Sequence, residues 1–63
     1  MTQREMMRRL IARYGRDRDR IIKAYADAER RGDVPRKSNK YDLSPESYAA
    51  ALFRDGVRRG WIR

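Results

Sequence analysis

The sequence predicts a small all-α domain of three helices. Apolar residues recur at intervals of three and four along most of the chain, a spacing that places them on one face of an α-helix. Glycines separate these stretches, and residues that favour helix starts precede them. We expect helices at about residues 2–14, 17–31 and 45–59, within a single small basic domain that covers residues 1–63.

The first predicted helix is amphipathic and basic. Its apolar stripe has the spacing i, i+3, i+4, i+7 and consists of Met7, Leu10, Ile11 and Tyr14. Thr2 and Glu5 have the spacing of a capping box at its start. Most of the remaining surface would be cationic, because four arginines lie largely off the stripe: Arg4, Arg8, Arg9 and Arg13.

The second predicted helix follows a stop at Gly15 and ends just before Gly32. Asp17 or Asp19 can cap its start. Its buried face would consist of Ile21, Ile22, Tyr25 and Ala28. One continuous helix over residues 2–31 is the alternative, because the apolar residues also fit a heptad pattern. Arg18 would interrupt that heptad seam, and a mid-helix Gly costs about 1 kcal/mol relative to Ala, so two helices are favoured.

A basic loop is predicted between Asp33 and Leu43, where Pro35 and Asn39 interrupt regular structure. Its cations, hydroxyl and amide are groups that commonly bind phosphate oxygens. The candidate residues for phosphodiester contact are Arg36, Lys37, Ser38, Asn39 and Lys40. Tyr41 is a candidate for stacking on a base. The alternative is a solvated loop that contributes to solubility alone.

The third predicted helix has a strong start signal, with Ser44 as N-cap, Pro45 at the first position and Glu46 in the first turn. Gly56 falls on its apolar face, where it would allow another helix to approach closely. The helix should stop at Gly60, with Trp61 folding back onto the core. The predicted core of the domain consists of Leu10, Ile11, Tyr14, Ile21, Ile22, Tyr25, Tyr48, Leu52, Phe53, Val57 and Trp61.

Charge is the main indication of function. Lys and Arg together number 17 against 9 acids, which gives a net charge of +8, and most of the cations are Arg. Guanidinium groups bind phosphate in a bidentate manner and stack on bases, so a polyanion partner is expected. We therefore predict non-catalytic nucleic-acid binding, with duplex DNA favoured and RNA or ribosome binding as an alternative.

Several other classes of function are disfavoured by the composition. Without Cys or His the chain lacks disulfides and the usual zinc ligands, and neighbouring carboxylates such as Asp17 with Asp19, or Asp27 with Glu29, would point to different helix faces beside arginines. We expect no enzyme activity, no cofactor and no metal. The sequence has no apolar run long enough to span a membrane, so we expect no membrane partner. We expect a cytoplasmic location, associated with the nucleoid, or a nuclear one if the host is a eukaryote.

The exposed face of the third helix is a candidate recognition surface. It carries small residues beside two arginines about one turn apart, namely Ser47, Ala50, Ala51, Arg54 and Arg58. Small residues allow a helix to sit deep in the major groove while Arg reaches guanine edges. The alternative is that Ala favours helix and Arg keeps an exposed face soluble.

The segment of residues 52–63, LFRDGVRRGWIR, resembles the end of the recognition helix in winged helix-turn-helix proteins. In that family the helix closes with a Gly, then an aromatic residue or Leu, and an Ile that opens the first wing strand. Gly56 stands here where the family normally has a core Leu, and the chain stops at Arg63 before any wing hairpin. The resemblance therefore implies a wingless helix-turn-helix-like or other tri-helical DNA-binding domain, with Arg54 and Arg58 on the helix that enters the groove.

A protein-interaction module is the alternative from a different class. The basic first helix could dock an acidic partner, or the chain could form a homodimer that completes a core too small for a monomer. In that case Met6, Met7 and Leu10 should form an exposed contact surface, because Met suits adaptable interfaces.

Overall fold

The fold is a bundle of three α-helices. The computed structural model describes residues 1–35 and 43–60, and these contain α1 (Gln3–Tyr14), α2 (Arg18–Arg31) and α3 (Pro45–Arg58) and no β-strand. Each helix lies within one residue of the bounds predicted from sequence at either end. The prediction of a small all-α domain of three helices is thereby confirmed.

α1 and α2 are two separate helices, so the alternative of one continuous helix is wrong. Gly15 ends α1 with φ 68° and ψ −122°, and its N–H donates to the carbonyl of Ile11 at 2.7 Å. The Asp17 carboxylate then caps α2 by accepting the N–H of Arg20 at 3.3 Å. Thr2 caps α1 in the same way, with the Glu5 N–H donating to its hydroxyl oxygen at 3.1 Å.

The predicted caps at the other helix ends are also present. Gly32 closes α2 in the left-handed region, at φ 84° and ψ 13°. The hydroxyl of Ser44 accepts the N–H of Ser47 at 3.2 Å at the start of α3, where Pro45 occupies the first helical position. α3 ends at Arg58, two residues before Gly60. These ends are set by local residues, which explains why the sequence identifies them.

The core lies around α2, which packs against both α1 and α3. Its fully or almost fully buried apolar side chains are Met7, Leu10, Ile21, Tyr25, Ala26, Ala28, Val34 and Ala49. Half-buried residues surround them, among them the predicted core positions Ile11, Tyr14, Ile22, Tyr48, Leu52 and Phe53. The buried positions of α3 are Ala49 and Gly56, so α3 buries small residues at the centre of its inner face.

The predicted core includes one residue that is exposed and omits one that is buried. Val57 was expected in the core but is 51% exposed, because successive helical residues are rotated by about 100° and Val57 follows the buried Gly56. Val34, placed by the sequence in the basic loop, is 3% exposed and belongs to the core. The expected position of Trp61 lies outside the described residues.

The apolar contact surface predicted for a protein-interaction module is not exposed. Met7 is fully buried and Leu10 is 9% exposed, while Met6 is half-buried against the same core. α1 directs these side chains inward because they share its inner face. That surface therefore serves the internal packing of the domain.

Candidate nucleic-acid interface

Ion pairs determine which cations of the domain are neutralised. Five carboxylates are each within 4 Å of a guanidinium, in the pairs Asp17–Arg20, Asp27–Arg30, Glu46–Arg30, Asp33–Arg31 and Asp55–Arg58. The expectation that Asp17 and Asp27 are neighbours of arginines is confirmed. Most of these pairs lie at the C-terminal end of α2 and at the two ends of α3.

Arg30 joins α2 to α3. Its guanidinium donates to Asp27 at 3.3 Å and to Glu46 in the first turn of α3. The hydrogen bond from Arg30 lowers the pKa of Glu46, and the hydrogen bond to Glu46 raises the pKa of Arg30. The pair is exposed to solvent, so its contribution to stability is small. Through this pair, however, Arg30 neutralises the Glu46 carboxylate at the start of α3.

Asp55 neutralises the C-terminal end of α3. It accepts from Arg58 at 2.8 Å and lies 3.1 Å from the guanidinium of Arg59. The hydrogen bond from Arg58 lowers the pKa of the Asp55 carboxyl, so this carboxylate stays ionised well into acid. Arg58, which was predicted to read bases together with Arg54, is thus partly neutralised by its own helix.

Arg54 and Arg58 are both exposed, but Arg54, unlike Arg58, makes no ion pair or hydrogen bond with the described residues. It lies between two shallow depressions. One, of about 340 Å³, is lined by Tyr48, Ala51, Leu52, Arg54, Asp55 and Arg58. The other, of about 330 Å³, is lined by Arg18, Leu43, Ser47, Ala50, Ala51 and Arg54.

The structure brings most of the predicted α3 face together. Ser47 and Arg54 line the same depression as the two small alanines between them, and Arg58 lines the other. Arg18, the first residue of α2, completes the wall beside Ser47 and Arg54. The sequence indicated Arg18 as an interruption of a heptad seam but gave no sign of its place beside α3, because that depends on how the two helices pack.

A second cationic surface covers the outer side of α1, as the sequence predicted. Arg8, Arg9 and Arg13 are exposed there, on the side opposite the buried Met7. The guanidinium of Arg13 lies 5.4 Å from the centre of the Tyr14 ring, at cation–π distance. Arg16 and Arg18 extend the exposed positive charge into the junction between α1 and α2.

The predicted basic loop is described up to Pro35 and again from Leu43. The predicted contact residues Arg36, Lys37, Ser38, Asn39, Lys40 and Tyr41 lie outside the described residues.

Within residues 1–35 and 43–60, no group of three acidic side chains is arranged to hold a metal ion. In the same part of the chain, no helix is both long and apolar enough to cross a bilayer.

No protein-family model matches the sequence, and no curated protein or solved structure matches it either. The helix-turn-helix resemblance therefore stays a prediction.

Proposed function

We propose that this domain binds duplex DNA without catalysing a reaction, using the exposed face of α3 and the neighbouring cations of α2 and α1. The observation that carries the proposal is the unequal pairing of charges. Carboxylates neutralise arginines at the ends of α3 and the C-terminal end of α2, whereas Arg54, Arg18 and three exposed arginines of α1, namely Arg8, Arg9 and Arg13, make no ion pair with the described residues.

Unpaired guanidiniums are suited to binding phosphates. Each cation that replaces a condensed counterion on DNA contributes affinity by releasing that counterion into solution. A cation already held by a carboxylate must first lose that partner. The free energy of binding should therefore come from the unpaired set, led by Arg54, and to a smaller extent from Arg58.

Duplex DNA is favoured over duplex RNA by the shape of α3. Between Ser47 and Arg54 the exposed face carries Ala50 and Ala51, so no large side chain prevents close approach of the helix axis. The major groove of B-DNA admits an α-helix, whereas the major groove of A-form RNA is deep and narrow and excludes it.

A fluorescence titration with labelled duplex DNA at low and moderate salt tests the proposal. If the domain neutralises about five phosphates, the logarithm of affinity should fall with the logarithm of salt at a slope of about −4.5. Unlabelled structured RNA should compete poorly. A slope near zero would exclude the electrostatic mechanism, and efficient displacement by RNA would move the proposal to an RNA partner.

A charge-matched pair of variants separates the α3 surface from net charge. Arg54→Gln and Arg31→Gln each remove one positive charge, but Arg31 is held by Asp33 at 3.0 Å at the far end of α2. We expect Arg54→Gln to weaken binding about tenfold and Arg31→Gln to weaken it far less. Equal losses would show that α3 has no special role in binding.

A further inference from the structure

We infer that the depression between the start of α2 and the exposed face of α3 binds one phosphate group of the DNA backbone, held by Arg18, Arg54 and the hydroxyl of Ser47. The inference rests on the proposed function, and it adds Arg18 to the interface and gives Arg54 a phosphate-binding role.

The two guanidiniums provide the charge. Arg18 belongs to α2 and Arg54 to α3, yet both line the same depression of about 330 Å³. Both are exposed, and neither makes an ion pair with a described carboxylate. The two guanidiniums repel each other, and an anion bound between them attracts both and so offsets this repulsion. Arginine is the cation best matched to phosphate oxygens.

Ser47 provides a hydroxyl donor. The Ser44 hydroxyl accepts the N–H of Ser47 at 3.2 Å and donates to the Ser47 hydroxyl oxygen at 3.0 Å. This arrangement leaves the hydrogen of the Ser47 hydroxyl without an acceptor among the described residues. Serine hydroxyls are frequent partners of phosphate oxygens in complexes with DNA.

The space between these groups is suited to an anion. Ala50 and Ala51 line the depression between Ser47 and Arg54, and their short side chains leave it open. Among the described residues no carboxylate lines it, whereas the depression on the other side of Arg54 contains Asp55. A phosphate near Asp55 would meet a negative charge, so the side that faces Arg18 is the favourable one.

The site can be tested with inorganic phosphate as the probe. In NMR titrations that observe backbone N–H and arginine Nε–H groups, we expect saturable shifts at Arg18, Arg54 and Ser47. The Nε–H of Arg31 donates to Asp33 and serves as the internal reference. Shifts of equal size at all exposed arginines, or none at Arg18 and Arg54, would overturn the inference.

A double-mutant cycle on duplex binding tests whether the two arginines share one phosphate. Arg18→Gln and Arg54→Gln should each weaken binding about tenfold, and the double variant should lose less than the product of the two effects. The control is Arg20→Gln with Arg58→Gln, since these arginines are held by Asp17 and Asp55. That pair should show smaller effects that multiply independently.

The same variants separate failure of the site from failure of the proposed function. If the wild type binds duplex DNA but Arg18 and Arg54 act independently, the shared phosphate site is wrong and DNA binding stands. If the wild type binds no duplex, the proposed function is wrong and so is the DNA origin of the phosphate. The inference would also be overturned if Arg18→Gln and Arg54→Gln reduced the affinity to different extents for two unrelated duplex sequences, because a phosphate contact affects all sequences alike.

Discussion

Tyr25 is the largest fully buried side chain of the domain, and its hydroxyl has no hydrogen-bond partner among the described residues. A buried hydroxyl without a partner opposes folding, because its hydrogen bonds with water are lost and not replaced. The nearby hydroxyl of Tyr48 accepts from the side-chain amide of Gln3 at 2.8 Å, so it connects α1 to α3. Replacing the tyrosine by Phe should therefore affect stability differently at these two positions.

We expect Tyr25→Phe to leave the free energy of unfolding unchanged or to raise it by up to about 1 kcal/mol. Tyr48→Phe should lower it by about 1 kcal/mol, because the Gln3 amide loses its closer acceptor and is left with the Pro35 carbonyl at 3.4 Å. Chemical denaturation of both variants measures the difference in the free energy of unfolding, provided that the slope of this free energy against denaturant concentration (the m-value) is the same for both. A clear loss of stability in Tyr25→Phe would show that its hydroxyl has a partner in the folded protein.

The buried Tyr25 hydroxyl should make the stability of the domain fall at alkaline pH. Burial, and next the proximity of Tyr48 and Glu29, raise the pKa of Tyr25 above its ordinary value of 10.0. Above pH 10 the unfolded chain releases the phenolic proton while the folded protein retains it, so stability is full below pH 10 and falls as pH rises. Comparing the wild type with Tyr25→Phe between pH 8 and pH 11 isolates this effect. Parallel curves for the two proteins would contradict it.

At the scale of the helices, two glycines end α1 and α2 with different backbone conformations. Gly32 is left-handed, at φ 84° and ψ 13°, a conformation that Asn also adopts. Gly15 has φ 68° and ψ −122° in a turn closed by the Asp17 N–H and the Tyr14 carbonyl, 3.3 Å apart. These angles belong to the first central position of a type II′ turn, which glycine occupies.

Substitution should distinguish the two caps. An added Cβ meets no atom within 4 Å at either position, so the cost comes from backbone conformation alone. We expect Gly32→Ala to cost about 1 kcal/mol and Gly32→Asn clearly less. Gly15→Ala and Gly15→Asn should both cost about 1–3 kcal/mol. Thermal unfolding of the four variants measures this, and rescue of Gly15 by Asn would contradict the turn assignment.

The helices were predictable from the sequence because their ends depend on neighbouring residues. Ser44 and Asp17 cap helices through backbone groups three residues away, and Gly32 acts within its own turn. Val34 was not predictable as a core residue, since it follows the glycine that ends α2 and has no helical partner to set its periodicity.

The candidate site shows the same limit. The α3 face was predicted because Ser47 and Arg54 share a side of one helix. The role of Arg18 depends on the packing of α2 beside α3. The neutralisation of Arg58 depends on the side-chain geometry of Asp55, which also lies 3.1 Å from Arg59. Neither arrangement follows from the periodicity of apolar residues.

At the scale of the whole molecule, the net charge of +8 acts over a body that measures 28 × 22 × 19 Å. At 0.01 M salt the Debye length is about 30 Å, so cations on opposite sides of the domain still repel each other. At 0.15 M salt it falls to about 8 Å, which leaves mainly the local ion pairs, such as Asp55 with Arg58. Screening therefore removes more repulsion than attraction in the free protein.

We expect the melting temperature of the free domain to rise between 0.01 M and 0.15 M salt, and that of the domain saturated with duplex DNA to fall. DNA stabilises the folded state according to its affinity, and that affinity decreases as salt replaces the released counterions. Differential scanning fluorimetry with and without duplex measures both trends on the same samples. A melting temperature of the free domain that falls with salt would show that its ion pairs outweigh its net charge.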